Sequence, residues 1–134
     1  MRLYYLIWVD CIVRLRTQPQ NKENWRFLSM LFMNICMSLD FVFIITALQK
    51  YVLGFDFYTL EFPFLSKEVS SAVEFIVLFI APWIIINYLL IFRKDRYERL
   101  IKKYKYNGGK LFITYAAIAI FVPIILLWVQ VFYQ

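Results

Sequence analysis

Apolar residues in this chain come in long blocks, not in the short alternation of a soluble domain. Three blocks are roughly 20 residues long, the length that crosses the ~30 Å hydrocarbon core of a bilayer. They fall at 25–48, 70–92 and 111–133. The pattern predicts an all-α integral membrane protein with three transmembrane helices in one membrane domain, 1–134. An N-terminal interfacial amphipathic helix and a cytoplasmic helical extension of the second span complete the expected fold.

Residues 1–17 contain an apolar run too short to span. Asp10, Arg14 and Thr17 share one helical face, with Asp10 and Arg14 spaced for an i,i+4 ion pair. Leu, Ile, Val, Trp and Tyr fill the other face, which suits a helix lying in the interface with its rings at headgroup depth. A first helix packed on the bundle fits equally well. A polar turn around Pro19 leads into the first span, 25–48. Twelve of the residues from Phe27 to Leu48 are Leu, Ile, Val or Phe. At roughly −0.5 kcal/mol each they outweigh a central aspartate, Asp40, at about +3 kcal/mol.

The segment 49–69 is densely aromatic and is interrupted by Pro63; it reads as an extended stretch on the outer interface. The second span, 70–92, carries Pro82, which removes a backbone donor and predicts a kink. It passes directly into 93–107, where Tyr97, Leu100, Ile101 and Tyr104 fall at i, i+3, i+4 and i+7 on one face. Asn107, Gly108 and Gly109 end that helix. Drawn straight, 70–106 would be about 55 Å long, some 20 Å more than a span needs, unless its last turns bend onto the membrane. In the third span, Ala116, Ala117 and Ala119 form a small-residue patch for close helix approach, and Pro123 predicts a second kink. Trp128, Phe132 and Tyr133 mark its far interface.

Composition sharpens this picture. The chain is 63% hydrophobic and 21% aromatic, against about half apolar in a soluble domain. Its net charge of +6 would suggest nucleic acid in a soluble protein. Here the basic residues flank the apolar blocks, so anionic lipid headgroups explain them better and no nucleic-acid partner is expected. Thirteen Lys and Arg residues lie before the first span or between the second and third, and two, Lys50 and Lys67, lie in 49–69. That asymmetry predicts a cytoplasmic N-terminus and an outer C-terminus, as in a bacterial inner-membrane protein. Asp10, Arg14 and Arg16 follow the first apolar run where a signal peptide would have small residues, so no cleavage is expected.

Candidate chemistry is sparse. There is no histidine, and Cys11 and Cys36 lack metal-ligand spacing, so no metal and no cofactor are expected. The intramembrane polar candidates are Asp40, Glu74, Asn34 and Asn87. Intramembrane carboxylates are functional candidates by default. No basic residue of this chain is expected at the depth of Asp40, which would then stay protonated or meet a cation from another subunit. Glu74 reads more simply as snorkelling to the outer interface, and Asn34 and Asn87 as a hydrogen-bonded pair joining two spans. The lipid-headgroup or partner-binding candidates are Arg93, Lys94, Arg96, Arg99, Lys102, Lys103 and Lys105. Asp95 and Glu98 stand four residues before Arg99 and Lys102, which supports the basic helix itself.

No Ser/His/Asp set, phosphate loop or HExxH motif is present, so no enzyme is expected. The leading expectation is a non-enzymatic subunit or assembly component of a membrane complex, whose partners are anionic lipid and another membrane protein or further copies of itself. The alternative is a homo-oligomeric pore, ion-conducting or membrane-disrupting protein built around Asp40 and Glu74. A lipid-modifying enzyme using either carboxylate is a third reading and lacks a second catalytic group.

Overall fold

A computed structural model describes residues 1–55 and 66–132, with the side chains of 127 and 130–132 left undescribed. The described residues are mainly helical, with no strand among them. Helix α1 is Arg2–Thr17 and α2 is Trp25–Leu48, extended by a π-helical turn at Gln49–Leu53. The second long rod is built in pieces: α3 at Lys67–Phe75, a π turn at Ile76–Ile80, α4 at Ala81–Asn87, and a π turn at Tyr88–Phe92. Helix α5 is Arg96–Lys103 and α6 is Lys110–Phe132. Residues 56–65, most of the aromatic segment expected at 49–69, lie outside the described residues, as does Tyr133.

Two helices, Trp25–Leu53 and the rod beginning at Lys67, are long and apolar enough to cross a membrane. Only 33% and 11% of their most apolar windows are buried inside the protein. The core helix of a soluble protein would hide most of that surface, because large contiguous apolar patches are rarely left in water. Both helices overrun the expected spans, by five residues at Leu53 and by three at Lys67. Gly54, at φ 72°, ends the first of them in a left-handed turn.

Helix α2 is the hub, with α1, α4 and α6 all packed against it. Helix α1 also meets α5 and α6. Of the two expectations for residues 1–17, packing on the bundle is the arrangement found. Trp8, Val9, Asp10, Cys11, Ile12 and Leu15 are buried, and Trp8, Cys11, Ile12 and Leu15 form the main core with Met33, Ile91 and Tyr97. Full burial of a side chain such as Ile12 is worth about 1.5–3 kcal/mol. The helix stops where Gln18 turns extended (ψ 124°) before Pro19, whose ring disfavours a helical predecessor. The expected Asp10–Arg14 ion pair does not form, for a reason given below.

The second rod departs from the straight helix considered above. Pro82 sits in the first turn of α4, directly after the π turn Ile76–Ile80, so its missing N–H falls where the backbone has already changed register. Ser38 of α2 donates to the carbonyl of Phe79 at 2.9 Å, satisfying an acceptor beside the proline. Beyond Phe92 the helix does not continue. Arg93 is extended (ψ 126°), and Lys94 and Asp95 are left-handed, at φ 54° and 50°. This hinge turns α5 onto α1, and α5 ends at Lys103, short of the expected Asn107. By contrast Pro123 lies inside α6, which runs through it as one helix.

Candidate functional site

Four polar features bind the helices to one another. Deep in the bundle, the Tyr4 hydroxyl donates to Asn87 Oδ1 at 2.6 Å, and Asn87 Nδ2 donates to Asn34 Oδ1 at 2.5 Å. Asn87 is fully buried, and its amide also lies 3.4 Å from Met37 Sδ. The two asparagines meet as the sequence suggests; the tyrosine that completes the chain was not expected. Burial pushes the Tyr4 hydroxyl up to about 12, so it remains a neutral donor at physiological pH.

Asp40 has a partner within its own chain. Tyr115 of α6 donates to Asp40 Oδ2 at 2.8 Å. This contact was not indicated by the sequence: a tyrosine reaches inward as a hydrogen-bond donor where the sequence reads as apolar. Glu74 is half-buried in α3.

The third feature is the fully buried Asp10. Its Oδ1 accepts from the N–H of Asn107 at 2.6 Å and its Oδ2 from the N–H of Leu111 at 2.9 Å. The first N–H groups of a helix have no partner within it, and the helix dipole favours a negative charge there. Asp10 thus caps α6 from a helix about a hundred residues away, which is why Arg14 is not its partner. Arg14 instead lies 3.5 Å from the carbonyl of Gly108. Gly109, at φ 76°, passes so close to Arg14 that a Cβ there would lie 2.6 Å from Arg14 Cδ. The available sequence signal was an aspartate within an apolar run, together with a helix start at Lys110 lacking a local capping residue.

The fourth feature is a charged knot at the hinge. The Arg26 guanidinium lies over the rings of Trp25 (5.4 Å) and Tyr97 (5.0 Å) and donates to the Tyr97 hydroxyl. It also pairs with Asp95 at 3.6 Å. Arg16 pairs with Glu98 at 3.1 Å and stacks over Trp25. These ion pairs are half-exposed, so each is worth at most about 1 kcal/mol. Their role is orientation. With Tyr97 buried and Leu100, Ile101 and Tyr104 turned inward, Arg93, Lys94, Arg96, Arg99, Lys102, Lys103 and Lys105 are all exposed. Arg96 also reaches back to the Leu89 carbonyl at 3.2 Å.

Between α2 and the second rod runs an open groove of about 820 Å³. Its walls are mainly apolar, with Asn34, Ser38 and Tyr88 among them, and Arg26, Lys94 and Asp95 stand at one end. Among the described residues, no three His, Cys, Asp or Glu side chains cluster as a metal site. No protein-family model matches the chain, and no curated protein or solved structure matches it.

Proposed function

We propose that this chain is a small integral membrane protein that spans the bilayer three times and acts as a non-enzymatic subunit or assembly component of a membrane complex. Its N-terminus and basic helix face the cytoplasm. The observation that carries this reading is that Asn34, Asn87 and Asp40 are each engaged by side chains of the same chain, while the seven basic side chains from Arg93 to Lys105 all face outward. The interior polar groups serve packing, and the outward basic surface is left to meet anionic headgroups or an acidic partner. The long apolar faces of α6, including Ile118, Phe121 and Ile125, are exposed and suit lipid or a neighbouring transmembrane helix. Tyr115 on Asp40 weighs against a pore lined by free carboxylates.

The test is purification from native membranes in mild detergent, with the mass and composition of the complex determined. A second membrane polypeptide in fixed ratio is the expected result. A stable monomer without a partner would overturn the subunit reading, and a homo-oligomer that conducts ions in liposomes would replace it with the pore.

A further inference from the structure

The groove between α2 and the second rod has the length and charge layout of one phospholipid in one leaflet. On the α2 wall it runs from Arg26 to Leu39, and on the antiparallel wall from Lys94 back to Phe75. The α2 wall, 26–39, rises about 20 Å at 1.5 Å per residue, and the facing wall, 75–94, up to about 28 Å. Half of a whole bilayer, headgroups included, is about 20–22 Å. The charged end therefore stands at headgroup depth when the apolar end stands near the bilayer midplane. The volume of about 820 Å³ falls within the ~300–1,000 Å³ of sites that enclose a small ligand. Asn34 and Ser38 are already hydrogen-bonded, to Asn87 and to Phe79, so the body presents mainly hydrocarbon.

At the mouth, Arg26 and Lys94 each carry one positive charge and Asp95 one negative, leaving a net +1. Asp95 is engaged by Arg26, whereas Lys94 is exposed and makes no ion pair among the described residues. A phosphodiester with a single negative charge complements that end, and the ammonium of a zwitterionic headgroup would meet the surplus positive charge.

We propose that this groove is a binding site for one anionic glycerophospholipid, with an acyl chain between α2 and α4 and the phosphate at Lys94 and Arg26. The proposal rests on the membrane-spanning reading, so the first measurement is retention of the full-length protein in alkali-washed membranes. Loss of the protein in that wash would overturn the spanning reading and the lipid site with it.

The protein is then purified in mild detergent, incubated with equal phosphatidylglycerol and phosphatidylethanolamine, and examined by native mass spectrometry. One retained phosphatidylglycerol per chain is expected, favoured several-fold over phosphatidylethanolamine. Lys94→Gly removes the charge at a left-handed position that glycine adopts without strain, so it should retain or raise stability while lowering phosphatidylglycerol retention about fivefold. Ile35→Trp, at an exposed position on the groove wall, should lower retention of both lipids. A protein that stays in washed membranes but retains no lipid would overturn the proposal. So would equal retention of the two headgroups, or retention unchanged by both variants.

Discussion

Replacing Asp10 separates the two descriptions of the N-terminal helix most sharply. On an interfacial helix with its polar face in water, Asp10→Ala would change stability by less than about 0.5 kcal/mol. In the structure the same change removes both acceptors that serve the Asn107 and Leu111 N–H groups. A hydrogen bond to a charged group contributes about 1.5–3 kcal/mol, and the favourable charge at a partly buried helix start adds up to about 2 kcal/mol. Allowing for water reaching part of the vacated site, a loss of about 3–5 kcal/mol is expected. Asp10→Asn keeps one acceptor but turns an amide N–H towards a backbone N–H, so its loss should be intermediate, about 1.5–3 kcal/mol. Unfolding in a mixed-micelle SDS titration, followed by tryptophan fluorescence, measures the order wild type, Asn, Ala. Hydrogen exchange gives the local readout: the amides of Asn107 and Leu111 should lose protection in Asp10→Ala. An alanine variant as stable as wild type, with Leu111 equally protected, would refute the capping role.

Other substitutions test neighbouring contacts. Gly109→Ala should cost about 1–3 kcal/mol and Gly108→Ala about 1 kcal/mol, because both residues are left-handed but only Gly109 would drive a Cβ into Arg14; the same titration compares them. Asn87→Leu should cost about 1–3 kcal/mol by stranding Tyr4 and Asn34, and much of that should return in Asn34→Leu/Asn87→Leu, as a double-mutant cycle would reveal. Burial pushes the Cys11 thiol well above its ordinary range, so it stays protonated from pH 6 to 9; maleimide labelling followed by peptide mass should modify it only after denaturation.

Hydropathy and helical period made part of this architecture legible. Apolar runs of membrane length survive errors of several residues at their ends, so two membrane-length helices emerge even though π turns interrupt the second. The inward face of α5 was legible for a similar reason: Tyr97, Leu100, Ile101 and Tyr104 are fixed by a local period, whatever surface they meet. Asn34 and Asn87 could be paired because two antiparallel apolar runs would set them side by side. The partners of Asp10 and Asp40 were hidden because they are long-range. Backbone N–H groups at 107 and 111 carry no side-chain signal, and Tyr115 reads as one more apolar residue. The hinge was hidden because left-handed backbone is normally announced by glycine, and here lysine and aspartate adopt it.

That hinge has a reason in the same sequence. Two non-glycine residues at positive φ cost roughly 1–2 kcal/mol each. A straight continuation would avoid this strain but would carry Tyr97, Leu100, Ile101 and Tyr104 away from α1 and leave them unpacked. Burying Tyr97 almost completely, and the other three in part, offsets a strain of that size at ~25 cal/mol per Å² of apolar surface. Arg26 then holds the turn from the α2 side through Asp95 and Tyr97, and Arg96 holds it through the Leu89 carbonyl. The apolar stripe and the strained hinge are therefore two sides of one solution. Here the amphipathic helix that follows a membrane-length rod turns back to bury its stripe against α1, and the turn leaves its basic side chains facing outward.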